Sequence, residues 1–269
     1  MTRKIRWISA IGPHRSKEGA REFLHEVKRP DTEVDHMTLD RGPSHLEYHY
    51  YESLVLPDVL HEVKNAENQG YDATVLGCFY DLGLDEAREV SESMPILAPA
   101  ESTTHLASTL GDTFSVIVGR RKWIPQMRER VRKYGLESRL ASFEPVGCGV
   151  LDFQADPERT HERLLEAGHH AVEEEGAEVL ILGCASEYGF YEKLQPELGV
   201  PVLDPMVVPL KMAELMTELA TFGWTHSKVG GYESPPLEEI HQWNIPEDYQ
   251  TQGVWSTEQP LSGPHSSDN

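Results

Sequence analysis

Two of the three cysteines in this 269-residue chain lie in matching sequence contexts. Cys78 belongs to VLGCFYD and Cys184 to ILGCASE, so each thiol follows a glycine at the end of an apolar run. A thiolate can remove a proton from carbon, and a thiol can return one. Two thiols on opposite faces of one carbon atom would therefore suit two-base proton transfer.

The matching contexts belong to an internal repeat with an offset of 106 residues. Gly83 and Gly189 follow the two cysteines at the same distance, and PILAP at 95–99 corresponds to PVLDP at 201–205. In both halves, the following proline lies 17 residues beyond the cysteine. A register of this length indicates two structurally similar halves.

The apolar runs before the two cysteines are short and rich in Val, Ile and Leu, which is typical of strands buried on both faces of a sheet. A further short strand is predicted after each following proline. Other strands are predicted over 4–11, 33–39, 113–118 and 139–146. Helices are predicted over 17–28, 46–69, 83–92, 100–110, 122–134, 157–175, 189–198 and 206–222. This alternation indicates α/β architecture with parallel sheets.

We therefore predict two pseudo-symmetric, doubly wound α/β domains with parallel four-stranded sheets and an active site in the cleft between them. The predicted segments are 1–100 with 207–230 for the first domain, 101–206 for the second, and 231–269 for an extended or disordered C-terminal tail. Ligands bind at the carboxyl ends of parallel strands, where both cysteines are placed. Cys78 and Cys184 would then share one site, and a following helix N-terminus would lower their thiol pKa.

Composition restricts the classes of function. The formal net charge is −21, and so acidic a surface repels nucleic acids and anionic membranes. No apolar run approaches the roughly 20 residues of a membrane span, and the N-terminal sequence has no apolar region of a signal peptide. Three cysteines are too few for a disulfide framework, which favours the cytoplasm. Neither cysteine motif has the spacing of metal ligands, so no metal is expected.

Six segments resemble the hydantoin racemase branch of the aspartate/glutamate racemase superfamily. They are GPSHLEYHYYESLVLPDVL, VLGCFYDLGLDEARE, AESTTHLASTLGDTFSVI, GAEVLILGCA, LGVPVLDPMVVPLKMAE and SKVGGY. The resemblance spans about residues 4 to 232 and includes both cysteine motifs in order. It implies a cofactor-independent, homo-oligomeric racemase or epimerase with Cys78 and Cys184 as its acid–base pair. The implied substrate is a small hydantoin-like or ureido compound whose reacting carbon lies next to a carbonyl.

The chain departs from that branch in the loops expected to contact the substrate. The stretch from Gly12 to His14 stands where the branch usually has Asn-Pro-Asn, and Tyr80 replaces a glycine after the first cysteine. Ser186 and Glu187 replace a Gly-Met pair after the second cysteine. These changes affect the substrate more than the reaction class. The residues predicted to bind substrate are Gly12, His14, Phe79, Tyr80, Ser102, Gly119, Arg120, Ala185 and Ser186.

The sequence leaves several alternatives open. Other reactions of the superfamily are amino-acid racemisation, cis–trans isomerisation and decarboxylation, although its decarboxylases characteristically keep only one of the two cysteines. A bidentate contact from Arg120 or Arg121 would suit a carboxylate substrate. A dithiol redox protein would need the Cα atoms of Cys78 and Cys184 within about 7 Å, and a non-catalytic binding protein would need neither thiol. Cys148 has no repeat partner and is interpreted as a packed core residue.

Overall fold

The computed structural model describes residues 2–14, 18–251 and 253–255. The strands are β1 (Arg3–Ser9), β2 (Thr32–Thr38), β3 (Ala73–Leu76), β4 (Ile96–Leu97), β5 (Phe114–Val118), β6 (Leu140–Pro145), β7 (Val179–Leu182) and β8 (Val202–Leu203). The helices are α1 (Glu18–Val27), α2 (His49–Asn68), α3 (Leu84–Val90), α4 (Pro99–Leu110), α5 (Ile124–Lys133), α6 (Pro157–Glu173), α7 (Tyr191–Leu198), α8 (Val207–Ala220), α9 (Leu237–Gln242) and α10 (Ile245–Asp248). Within these ranges, no helix combines the length and the apolar character needed to cross a membrane.

The strands form two four-stranded sheets with the same topology. The first sheet has the order β2-β1-β3-β4 and the second has the order β6-β5-β7-β8. Each neighbouring pair is parallel, and helices alternate with strands along the chain. The predicted fold class is confirmed, and the repeat in the sequence corresponds to two sheets of equivalent strand order.

The strands that precede the two cysteines lie inside their sheets. β3 has the sequence ATVL, β7 has the sequence VLIL, and every side chain of both strands is buried. β3 pairs with β1 and β4, and β7 pairs with β5 and β8. A strand covered on both faces has no need for polar residues at alternate positions, which explains the continuous apolar runs.

A glycine is required between each of these strands and its cysteine. A Cβ atom on Gly183 would lie 2.6 Å from the carbonyl oxygen of Ile117, and one on Gly77 would lie 2.4 Å from Nε1 of Trp7. Both distances are shorter than van der Waals contact. The backbone therefore lies in close contact with β1 at Gly77 and with β5 at Gly183. Only glycine permits this contact, which places the cysteines at the carboxyl ends of the sheets.

Helices α4 and α8 connect the two halves. α4 packs against β5 and β7 of the second sheet, whereas α8 packs against β1, β3 and β4 of the first. The two helices also contact each other. The chain thus returns to the first sheet after β8, and the exact domain boundaries stay a prediction.

The C-terminal part contains more structure than its composition predicts. The short helices α9 and α10 lie where an extended or disordered tail was expected. The side chain of Trp255 is buried and packs edge-on against His61 of α2. Packing against α2 explains the difference, because two short helices carry no periodic signal long enough to detect. Residues 252 and 256–269, on which part of that expectation falls, lie outside the described residues.

Candidate active site

Cys78 and Cys184 line one cavity at the carboxyl ends of the two sheets. The first half contributes the ends of β1 and β3 and the loop 45–47, and the second half contributes residues that follow β5, β6 and β7. The space between these loops measures about 550 Å³ when the open solvent at its mouth is included. The two cysteine loops therefore approach one site from the two halves of the molecule.

The two thiols have related hydrogen-bonding environments. The backbone amide of Ser186 donates to Sγ of Cys184 at 3.5 Å. The backbone amide of Tyr80 makes the same type of bond to the thiol of Cys78. Each donor lies two residues after its cysteine, so the donors are also related by the repeat offset of 106. An amide that donates to sulfur favours the thiolate form.

Burial of Cys78 acts in the opposite direction and dominates. It raises the pKa of the Cys78 thiol far above its ordinary value; the Tyr80 amide opposes this rise, and Glu52 and Cys184 add to it. The expectation of a lowered thiol pKa is therefore wrong for Cys78. Desolvation outweighs the single amide, and α3 begins several residues further along the chain. The raised pKa favours the neutral thiol of Cys78, which is the form that donates a proton.

A buried carboxyl group caps one helix in each half. Asp81, in the first cysteine loop, accepts hydrogen bonds from the amides of Ala100 and Glu101 at the start of α4. In the second half, two amides at the start of α8 donate to Asp204 instead. Burial raises the pKa of Asp81 to about 6 and that of Asp204 to about 6.

Glu187 occupies the repeat position of Asp81 but has a different partner. Its side chain is fully buried, and Oε2 accepts a hydrogen bond from the amide of Cys184 at 3.1 Å. Oε1 has no hydrogen-bond partner among the described residues. Burial raises the pKa of Glu187 well above its ordinary value, and the nearby Asp204 adds to the rise. A neutral carboxylic acid therefore supports the backbone of Cys184.

Six of the eleven residues predicted for the site line the cavity. They are Cys78, Phe79, Tyr80, Cys184, Ala185 and Ser186. The last two belong to a short 3₁₀ helix after β7, of which Cys184 is the N-cap. The tight turn of that helix explains why three consecutive residues reach one cavity.

The other five predicted residues do not line the cavity. His14 is exposed, and Ser102 is buried within α4. A Cβ atom on Gly12 or on Gly119 would lie 2.3 or 2.4 Å from a neighbouring carbonyl oxygen. These two glycines therefore permit close backbone packing beside the cavity. The fifth residue is Arg120, whose guanidinium group contacts a lining residue instead.

The partner of Arg120 is Glu47, which the sequence analysis missed. Nη1 of Arg120 donates to Oε2 of Glu47 at 2.7 Å, and Glu47 lines the cavity. The guanidinium group thus pairs with a carboxylate of the protein, whereas the alternative of a carboxylate substrate would have used it to bind that substrate. Glu47 fell inside the predicted helix 46–69, but α2 begins only at His49. A pair 73 positions apart leaves no signal in a single sequence.

No lysine or arginine is found among the lining residues, all of which lie in the described part of the chain. The lining contains one carboxylate, Glu47, and one histidine, His45. Trp123, Met127 and Val150, also missed by the sequence analysis, add to its apolar wall. Such a cavity suits a neutral ligand with an apolar face and a few polar groups.

In the described residues, one group of side chains could share a metal ion. It consists of Glu144, His170 and Glu175, of which the latter two are exposed. None of the three lines the cavity. The cysteine site therefore does not include these potential metal ligands.

Comparison with known proteins identifies the family. The family model of Asp/Glu/hydantoin racemases matches residues 13–213. The chain belongs to this family. The hydantoin racemase of Pseudomonas sp. (strain NS671) is 37% identical over 235 residues, which cover 86% of this chain and 93% of that protein. The hydantoin racemase of Paenarthrobacter aurescens is 34% identical over 232 residues, which cover 85% of this chain and 97% of that protein.

Solved structures of racemases share the fold. The allantoin racemase from Klebsiella pneumoniae has a TM-score of 0.81 and 26% sequence identity, over 87% of this chain and 94% of that chain. The allantoin racemase from Pseudomonas fluorescens has a TM-score of 0.79 and 27% sequence identity, over 86% of this chain and 97% of that chain. The resemblance read from the sequence motifs is confirmed, and this member of the Asp/Glu/hydantoin racemase family is an isomerase.

Proposed function

We propose that this racemase inverts the stereocentre of a hydantoin-like or related ureido compound, with Cys78 and Cys184 as its acid–base pair. Both thiols come from repeat-related loops and line one cavity, and this observation carries the proposal. The similar hydantoin and allantoin racemases indicate the substrate class. The reacting carbon would carry an acidic C–H bond next to a carbonyl group.

The proposed reaction transfers two protons without a cofactor. The thiolate of one cysteine removes the proton from the carbon, and the C–H electron pair moves into the carbonyl to give an enolate. The thiol of the other cysteine then protonates the opposite face. Each positioned acid or base contributes about 10²–10⁴-fold to the rate. Because the two thiols face opposite sides of the carbon, each cysteine would be the base for one enantiomer and the acid for the other.

The charge of the lining favours a neutral substrate over an anionic one. Arg120, the arginine predicted to bind substrate, already pairs with Glu47. A substrate carboxylate would find no cation in the lining and would be repelled by Glu47. A hydantoin ring carries carbonyl and N–H groups and has no carboxylate at the reacting carbon. This difference argues against amino acids and malonates.

Solvent exchange at the stereocentre tests the reaction class. The purified protein would be incubated in D₂O with a panel of hydantoins, amino acids and alkenedioates, and deuterium incorporation and optical rotation would be followed. For hydantoins, we expect deuterium to enter the stereocentre while the optical rotation decays to zero. Loss of CO₂ or alkene isomerisation without exchange at the stereocentre would overturn the proposal.

Single-cysteine variants test the roles of the thiols. Cys78→Ser and Cys184→Ser should each abolish racemisation, because every turnover needs both groups and serine is too weakly acidic to replace a thiol. Each variant should retain exchange only on the enantiomer whose base is the remaining cysteine. Cys148→Ser is the matched control, since Cys148 is buried but does not line the cavity. The assignment fails if either site variant racemises at near-parental rate, or if both exchange the same enantiomer.

We further propose that the enzyme works as a cytoplasmic homo-oligomer without a cofactor. The oligomer and the lack of a cofactor follow from the motif resemblance, and the location follows from the low cysteine content. Light scattering after size-exclusion chromatography should give a mass above that of one 30.3 kDa chain. Activity should also survive dialysis against EDTA. An active species with the mass of one chain would contradict the proposed oligomer. A loss of activity on chelation would contradict the proposed lack of a cofactor.

A further inference from the structure

Glu47 is a carboxylate that the structure holds in place at the cavity wall. Its side chain is only 6% exposed. Oε2 accepts a hydrogen bond from Nη1 of Arg120 at 2.7 Å, and Oε1 accepts one from the backbone amide of Val150 at 3.0 Å. Both donors belong to the second half of the chain, whereas Glu47 belongs to the first. Two hydrogen bonds between the halves of the chain therefore hold the carboxylate in place.

These bonds leave acceptor capacity on the carboxylate. Each carboxylate oxygen accepts about two hydrogen bonds, and each oxygen of Glu47 uses one of these positions for Arg120 or Val150. Because Glu47 lines the cavity, a bound molecule with an N–H group could donate to the remaining positions. Hydrogen bonds to a charged acceptor are roughly twice as strong as neutral ones.

We propose that Glu47 is a specificity-determining residue that accepts a hydrogen bond from a ring or ureido N–H group of the substrate. This inference rests on the proposed function and narrows it to substrates that present an unsubstituted N–H group to the cavity wall. Glu47 thereby favours a ureide in two ways. It binds the N–H donor, and it repels a carboxylate at the same place.

Glu52 provides a matched control five residues along the chain. Its side chain is also 6% exposed, and Oε2 accepts a hydrogen bond from Nε2 of Gln126 in the second half, at 2.7 Å. Glu52 does not line the cavity. Glu52→Gln therefore changes a buried carboxyl group between the halves without changing a group that lines the cavity. Its influence on the Cys78 thiol acts on both substrates and cancels in a ratio between them.

The test compares a 5-substituted hydantoin with its N1-methyl and N3-methyl derivatives. For each protein, the ratio of kcat/KM between the unmethylated and the methylated substrate is measured. In the parent protein, one of the two methyl groups should lower kcat/KM by about 10- to 100-fold, because it removes a hydrogen bond to a charged group. In Glu47→Gln, which has the same size but no charge, that ratio should fall by about 5-fold or more. In Glu52→Gln it should stay at the parental value.

The ratio is insensitive to other effects of the substitution. Both substrates are measured on the same sample, so the fraction of correctly folded protein cancels, and the bulk of the methyl group is the same for every variant. If Glu47→Gln does not fold, Glu47→Asp keeps the charge beside Arg120 but withdraws it by one methylene group, and the ratio should also fall. An unchanged ratio in the folded Glu47 variant, or no N-methyl effect in the parent, overturns the inference while racemisation of the hydantoin persists. Absence of racemisation of any hydantoin by the parent would instead refute the proposed function.

Discussion

The buried acid Glu187 makes the stability of the protein depend on pH in a way that one substitution can reveal. Burial raises the pKa of Glu187 well above the ordinary value of 4.5, so the folded protein holds a neutral acid. The unfolded chain ionises near that ordinary value. Between the two pKa values the unfolded state has lost a proton that the folded state keeps, and the free energy of unfolding falls as pH rises.

Glu187→Gln should remove this dependence. The amide oxygen can accept the hydrogen bond from the Cys184 amide, as Oε2 does now. The free energy of unfolding of the variant should therefore rise relative to the parent as pH increases above 5, by up to about 1.4 kcal/mol per pH unit while Glu187 stays protonated in the folded protein. Burial raises the pKa of Asp81 and of Asp204 to about 6. Neither residue is changed by the substitution, so we expect their contributions largely to cancel in the difference.

Urea unfolding at pH 5, 6 and 7 gives this difference directly. Glu166→Gln, on the exposed side of α6, is the control and should follow the parent at each pH. Parallel stability curves for Glu187→Gln and the parent would refute the reasoning, because they would mean that Glu187 ionises equally in the folded and unfolded states.

Three other substitutions test features of the site and its surroundings. Tyr80→Ala should raise kcat/KM for hydantoins with bulky substituents relative to small ones, whereas Tyr80→Phe should not, because Tyr80 lines the cavity and phenylalanine keeps its size. Gly183→Ala should lower the free energy of unfolding by about 2 kcal/mol in urea, since its Cβ atom would lie 2.6 Å from the carbonyl oxygen of Ile117. Trp255→Ala should lower it by about 3 kcal/mol, and Trp243→Ala, whose side chain is 60% exposed, should not. An unchanged substrate profile in Tyr80→Ala, an unchanged urea midpoint in Gly183→Ala, or equal midpoints for the two tryptophan variants would contradict the respective expectation.

Features with a local signal could be predicted from the sequence. The strands before Cys78 and Cys184 are continuous apolar runs because both of their faces are buried. The repeat then placed the two thiols at equivalent strand ends. Phe79, Tyr80, Ala185 and Ser186 reach the cavity since they are adjacent to those thiols in the chain.

Features that depend on distant partners could not be predicted. Glu47 lines the cavity because a loop places it there, and its partner Arg120 follows another strand. The raised pKa of Cys78 results from burial by side chains of both halves, and the motif itself carries only the opposing amide. The position of Trp255 against α2 is likewise a tertiary contact.

The two acids that cap α4 and α8 lie at different places in the two halves. Asp81 belongs to a cysteine loop, whereas Asp204 lies just before the helix that it caps. Segments of the two halves therefore cannot be exchanged freely. A chimera with loop 77–83 in place of 183–189 would bring a second aspartate to the amides that Asp204 already caps. The opposite exchange would remove Asp81 from the start of α4, where Ala98 stands at the position equivalent to Asp204 and offers no carboxyl group. Each cysteine loop and the helix start that it faces therefore form one structural unit. A segment transferred between the halves must carry both parts to retain its fold.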